Sequence, residues 1–262
     1  MATQHMPLRF RKRLLDRERL VGSFVKTPTG HATEILGDVG FDFVIIDQEH
    51  APFDRSTTDN VLLAARAAAT AALVRVPRAD PADILAALDD GAAGVLLPHI
   101  ATVAAARDAV AACRYSGKRG FSNSPRAGRY GGLGLADHVA AGDASTTVIA
   151  MIEDPEALDQ IDAILAVEGL DAVFIGRGDL TVAYRETSTD APPVRQAVER
   201  ITAAARTAGK PALAMVGRAD APEAGWLARL GVTGFVVASD QSFMRQAAGN
   251  ALDILRRLEP SA

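Results

Sequence analysis

The segment Val44-Ile45-Ile46-Asp47-Gln48-Glu49-His50 carries an apolar run straight into two carboxylates and an imidazole. Carboxylates hold hard cations, and an imidazole beside a carboxylate is a base matched to neutral pH. The pattern recurs along the chain. Val148-Ile149-Ala150-Met151-Ile152 runs into Glu153, Val173-Phe174-Ile175-Gly176 leads to Asp179, and Leu73-Val74 ends at Arg75. Glu153 and Asp179 are a candidate ligand pair for Mg²⁺ or Mn²⁺; helix capping or plain solvation is the simpler role for each. His50, with Glu49 beside it and Asp47 close in sequence, is a candidate general base, against the plainer reading of a hydrogen-bonded rim histidine. Arg75 offers a rigid fork for an oxyanion or carboxylate, or it serves as a partner for Asp47 or Glu49. The glycine-flanked turn Gly176-Arg177-Gly178-Asp179 presents backbone N–H groups suited to a carboxylate or phosphate, although glycines also mark ordinary turns. Lysines are Lys12, Lys26, Lys118 and Lys210, and only Lys26 falls near the C-terminal end of an expected strand. An imine-forming aldolase needs a lysine inside the barrel, so carbonyl chemistry here favours a metal over a Schiff base.

Groups so far apart in sequence meet only if the elements carrying them are aligned. Apolar runs at 20–25, 43–47, 72–75, 94–98, 148–152, 172–175, 212–215 and 234–238 read as eight strands. Helical patterns lie between and after them at 31–39, 57–69, 81–90, 103–113, 154–167, 193–208, 221–230 and 239–258. Strict alternation predicts parallel strands with crossover helices, and eight units close a (β/α)₈ barrel whose strand C-termini share one face. An open doubly wound sheet is the rival, but Lys26-Thr27-Pro28-Thr29-Gly30 after the first strand is no dinucleotide fingerprint. Asp80-Pro81 and Asp154-Pro155 read as helix starts, and Gly91, Gly169, Gly209 and Gly231 as helix stops. Residues 7–19 read as an extra N-terminal helix. The stretch 114–147 is a long Gly-, Arg- and Ser-rich excursion, and 184–192 a shorter polar insert. One barrel domain spanning 1–262 is expected.

The bulk composition removes several function classes. At 262 residues, 48% hydrophobic and 23% charged, the chain is an ordinary globular sequence. A net charge of -4 gives no support to nucleic-acid binding. No run approaches the roughly 20 apolar residues of a membrane span, and the N-terminus does not read as a signal peptide. Cys113 is the lone cysteine. No intrachain disulfide is possible, and a cytoplasmic location is expected.

The segments 40–52, Val74-Arg75-Val76-Pro77, 88–92, Leu97-Pro98, Arg119-Gly120, Ile152-Glu153 and 174–180 together resemble the HpcH/HpaI aldolase family, in order, from about Val21 to Met244. The Asp-x-Glu-His motif after a strand is the most specific of them. The resemblance implies a (β/α)₈ barrel and a class II, divalent-metal-dependent aldolase. Such an enzyme makes or breaks a C–C bond between the enolate of a pyruvate- or hydroxypyruvate-type 2-oxo acid and an aldehyde. It implies Glu153 and Asp179 as ligands of Mg²⁺ or Mn²⁺, with Co²⁺, Zn²⁺ or Ni²⁺ as further candidates. It makes His50 with Asp47 the acid/base pair and Arg75 the guanidinium at the enolate oxygen. Gly178 and Asp179 become the amides for the substrate carboxylate, with Ser239 counted among the substrate-binding residues. Asp89 is implied to reach a neighbouring subunit's histidine, in a homo-oligomer (hexamer or trimer) with the C-terminal helix exchanged between subunits. The chain departs from the family pattern at Met151, where glutamine is common, at Arg177, where proline is usual, and at Phe24, where tryptophan is common. Three rival readings stay open: an acyl-coenzyme A lyase of the citrate-lyase β type, a 2-oxo acid decarboxylase, and a barrel that binds 2-oxo acids without turning them over. Arg126 and Arg129 in the long excursion keep the first alive, and the co-occurrence of His50, Asp47, Arg75, Glu153 and Asp179 argues against the last.

Overall fold

The computed structural model describes residues 6–258. Eight strands, all parallel and each beside its sequence neighbours, close into a barrel: β1 (Leu20–Val25), β2 (Phe43–Asp47), β3 (Ala71–Arg75), β4 (Gly94–Leu97), β5 (Thr147–Ile152), β6 (Ala172–Ile175), β7 (Ala212–Val216) and β8 (Val232–Ser239). The helices are α1 (Met6–Leu15), α2 (Gly30–Val39), α3 (Arg55–Ala67), α4 (Pro81–Asp89), α5 (Val103–Cys113), α6 (Leu135–Ser145), α7 (Ile161–Leu165), α8 (Arg177–Ala183), α9 (Pro192–Thr207), α10 (Pro222–Arg229) and α11 (Asp240–Arg256).

The strands are apolar on both faces because both faces are covered, so their sequences show continuous runs instead of alternation. One set of side chains fills the lumen: Phe24, Phe43, Ile45, Leu73, Leu96, Ile149, Met151, Phe174, Leu213 and Val236 among them. The other set, including Val44, Ile46, Val74, Val95, Val148 and Val173, packs beneath the helices. The period of two has a direct consequence at the upper rim. Phe43 and Ile45 point inward, so the next inward position on β2 is Asp47. By the same count β3 delivers Arg75 after Leu73, and β5 delivers Glu153 after Ile149 and Met151.

The lower end is stoppered. α1 places Phe10 and Leu14 into the luminal cluster, with the Phe10 ring 5.3 Å from that of Phe43. Arg11 and Arg114 both pair with the buried Asp171, at 2.7 and 3.2 Å, and Arg13 pairs with Asp42 at 2.7 Å. The Arg11 and Arg13 ties fix the helix across the barrel floor.

Two stretches differ from the sequence expectation. The 114–147 excursion is not all loop, because α6 occupies part of it. That helix buries only His138, whose ring bonds the Tyr115 hydroxyl at 2.9 Å and Asn123 at 2.9 Å. The turn after β6 runs straight into the short α8, which the Gly-Arg-Gly sequence had masked as a simple turn. The helix stops are as expected: Gly91, Gly169, Gly209 and Gly231 all have positive φ. α11 has no buried residue in this chain, and Met244, Leu252, Ile254 and Leu255 lie exposed on it.

Candidate active site

The rim groups fall into two arcs. On the first, Asp47 and Arg75 are register partners on adjacent strands, and their side chains form a two-pronged pair with Nε–Oδ1 at 2.9 Å and Nη2–Oδ2 at 2.7 Å. Lys26, just past β1, adds its ammonium to Asp47 Oδ2 at 2.7 Å. The backbone N–H of His50 donates to Asp47 Oδ1 at 3.1 Å. Burial alone would raise the Asp47 pKa, but Arg75, Lys26 and the His50 amide overcome that and hold it at about 2. Asp47 is therefore a carboxylate throughout the ordinary pH range.

Glu49 links this arc to the rest of the mouth. It forms an ion pair with Arg75 Nη1 at 3.1 Å, and its oxygens lie 3.5 Å from His50 Nε2 and 3.8 Å from His99 Nε2. The expected pairing of His50 with Asp47 thus takes a different form. Asp47 bonds the backbone of His50, and the imidazole faces Glu49. The His50 side chain is 58% exposed, open to the mouth. Beneath Arg75 lies Phe24, its ring centre 4.9 Å from the guanidinium carbon and 6.1 Å from the Phe174 ring. Phe24 is thus a flat apolar floor where a tryptophan was the family expectation.

The second arc has the opposite electrical character. Glu153 is buried, and its pKa is pushed up to about 7, chiefly by burial, with the neighbouring Asp179 adding to the rise and the His99 amide and ring opposing it. Asp179 stands exposed in the first turn of α8. Close approach is built into the backbone here: a Cβ on Gly176 would come within 2.4 Å of Glu153 Cβ and 3.2 Å of Met151 Cε, so only glycine fits. Two acids crowded together without a fixed cation are a site short of positive charge. No group of three or more His, Cys, Asp or Glu side chains arranged to hold a metal occurs among the described residues, so an ion here would take its protein ligands from this pair.

His99 was not singled out by sequence reasoning. It follows Pro98 directly after β4 and adopts a left-handed backbone, φ 53. That conformation aims its N–H at Glu153 Oε1, 2.9 Å away. Its Nδ1 lies 3.2 Å from both oxygens of Asp154. Burial lowers the His99 pKa, but Glu153, Asp154 and Glu49 outweigh it and raise it on balance. The signal was present in the sequence, since another buried strand ends within two residues of an ionisable group.

Three other positions singled out in the sequence have the following partners within this chain. Arg177 turns away from the mouth: it is buried, donates to Glu223 at 3.1 Å and to the Met215 carbonyl at 2.7 Å, and puts no charge at the entrance. Ser239 caps α11, its Oγ accepting from the Ser242 N–H at 3.2 Å. Asp89 ends α4, away from this rim, and pairs with Arg119 of its own chain at 3.1 Å.

A closed parallel barrel that gathers carboxylates, imidazoles and a guanidinium at its strand C-termini has the build of a barrel enzyme. The model of the HpcH/HpaI aldolase/citrate lyase family matches residues 20–247. The 5-keto-4-deoxy-D-glucarate aldolase of Shigella dysenteriae is 34% identical over 254 residues, 96% of this chain and 98% of that protein. The crystal structure of an HpcH/HpaI aldolase/citrate lyase family protein from Burkholderia cenocepacia superposes with a TM-score of 0.88 at 30% identity, covering 94% of this chain and 98% of the other. A more distant barrel, the citrate lyase beta subunit from M. tuberculosis, was solved with oxaloacetate and magnesium; it is 18% identical with a TM-score of 0.55, over 88% of this chain and 95% of that one. The chain belongs to the HpcH/HpaI aldolase/citrate lyase family, and it is an aldolase, a lyase of the class II pyruvate-aldolase type. No helix among the described residues is long and apolar enough to cross a membrane.

Proposed function

We propose that the enzyme makes and breaks the C–C bond between a pyruvate-type 2-oxo acid and an aldehyde, using a divalent cation held by Glu153 and Asp179. The observation that carries this reading is the uncompensated acid pair. A buried carboxylate with its pKa pushed up to about 7 beside a second acid is stabilised by a cation, and oxygen ligands select a hard one, Mg²⁺ or Mn²⁺. Such an ion supplies Lewis-acid polarisation of the 2-oxo carbonyl.

The chain's own groups account for the rest. A guanidinium has five N–H bonds, and Arg75 spends one each at Nε and Nη2 on Asp47, while Nη1 is held near Glu49 as an ion pair. N–H groups on the terminal nitrogens remain for the oxygen that gains charge as the enolate forms, and the Asp47 fork keeps the guanidinium in place. The first amides of α8, at Gly178 and Asp179, take the substrate carboxylate. His50, exposed above Glu49, exchanges protons with C3 of the donor or with the new alkoxide oxygen. Lys26 acts as a counter-ion to Asp47 and so is poorly placed as an imine former. Asp89 lies outside this rim, and its part depends on assembly: in a hexamer or trimer it would face a neighbour's His50, with the exposed apolar face of α11 joining subunits.

The test is hydrogen exchange at C3 of pyruvate in D₂O, followed by NMR. Exchange should require added Mg²⁺ or Mn²⁺, stop on chelation, and leave no lysine adduct after borohydride. Undiminished exchange in exhaustively chelated protein, or a trapped adduct at Lys26, would refute the reading.

A further inference from the structure

With Arg177 turned inward, His99 is the imidazole at the mouth that the aldol reading leaves without a task. Its ring spans the opening. Nδ1 lies 3.2 Å from each Asp154 oxygen and 3.6 Å from Glu153 Oε1, while Nε2 lies 3.8 Å from Glu49 Oε1, beyond hydrogen-bond reach. Asp154 thus fixes the orientation of the ring and leaves Nε2 without a hydrogen-bond partner among the described residues. The side chain is 58% exposed, so that nitrogen opens onto the mouth and not onto the core.

We infer that His99 Nε2 binds the aldehyde partner through a hydroxyl on the carbon next to its carbonyl, making His99 the residue that selects 2-hydroxyaldehydes over their deoxy counterparts. The inference rests on the aldol reading above and deepens it. A hydroxyl is the right partner on two grounds. It both donates and accepts, so it satisfies Nε2 whichever way that nitrogen's hydrogen is placed. It is also neutral, whereas an anionic group beside His99 would face Glu49, Glu153 and Asp154, the acids that surround the ring. Arg75 and Lys26, the nearby cations, are already engaged by Asp47 and Glu49. A site built to hydrogen-bond a hydroxyl penalises the analogue lacking it, because its own polar atom is then left unpaired.

Two substitutions separate this role from support of Glu153. His99→Asn tolerates the left-handed backbone, keeps the N–H toward Glu153, and places its amide near the Nδ1 position, but has nothing at Nε2. His99→Gln extends its amide to the Nε2 position. With pyruvate as donor and Mg²⁺ or Mn²⁺ present, kcat/KM is compared for 2-hydroxypropanal and propanal, alongside C3 hydrogen exchange of pyruvate without aldehyde. The wild-type enzyme should prefer the hydroxyaldehyde by about 5- to 10-fold, the worth of one hydrogen bond. His99→Asn should bring the ratio close to one, and His99→Gln should restore part of it. A ratio unchanged in His99→Asn overturns the inference. So does a drop in exchange as large as the drop in aldol turnover, which would show that His99 acts only by holding Glu153. Absence of exchange in the wild-type enzyme would count instead against the aldol reading itself.

Discussion

The two arcs of the rim use the same residue types to opposite ends. On the β1–β3 arc, Lys26, Arg75, Asp47 and Glu49 interlock in alternating sign, and Asp47 is held at about 2 by its cations. On the β5–β6 arc, Glu153 is driven up to about 7, chiefly by burial, with Asp179 adding to the rise. One arc is electrically closed before any ligand arrives, which is what positions a guanidinium without reorganisation cost. The other is left incomplete, which is how a protein reserves room for a cation it does not itself encode.

Breaking the open arc should have the largest effect. Glu153→Gln or Asp179→Asn is expected to lower aldol turnover by about 10³-fold or more, the scale of lost Lewis-acid assistance. The same Glu153→Gln should raise the melting temperature of the metal-free protein, because it removes half of a repelling pair, while abolishing the further rise that Mg²⁺ gives the wild type. Calorimetry with and without the ion checks both halves, and a metal-free protein destabilised by Glu153→Gln would remove the contrast between the arcs.

Next comes the imidazole above the closed arc. His50→Ala should reduce turnover by roughly 10²–10⁴-fold, the range of general acid–base catalysis, with metal affinity little changed. Turnover near the wild-type value would mark His50 as structural. Arg75→Lys should follow at about 10²-fold, since a point charge cannot bond both Asp47 oxygens and keep two N–H groups forward. Isothermal titration of the ion should show that Arg75→Lys leaves the open arc intact.

The smallest effect is on stability in acid. The Asp47 pKa falls from 3.8 to about 2 on folding, so its contribution, about 2 kcal/mol by linkage, is full above the unfolded value and lost as pH falls through about 2. Asp47→Asn should flatten the stability profile between those limits. Denaturant titrations across that range would reveal a wild-type-like slope if the closed arc were not the source.

Much of this arrangement was legible in the chain because the barrel turns sequence period into position. Asp47, Arg75 and Glu153 each occupy the next inward place after a luminal apolar residue, so strand pattern alone brings them to one rim. The groups that escaped notice owe their places to other causes. His99 lies past a proline, where the period of two stops, and a left-handed backbone redirects it. Glu49 looked like one member of a motif, yet it joins Arg75 to two imidazoles across three connections. Arg177 stood out as a departure from the family pattern, but nothing local in the sequence foretells that Glu223 on α10 and the Met215 carbonyl on β7 would turn it inward. α8 was hidden by its brevity and its glycines, and α6 by a face that buries a single histidine. Those features are set by tertiary contacts between distant segments, and periodicity carries no record of them.

The packed lumen and the α1 stopper of Phe10 and Leu14 beneath it leave the barrel open only at its upper mouth. Traffic through a vessel with one doorway is last in, first out. On the proposed reading, a donor held at the amides of Gly178 and Asp179 with the aldehyde over it would arrive first, and in the cleavage direction would depart last. The proposed order of binding would thus follow from a barrel that is solid below its rim.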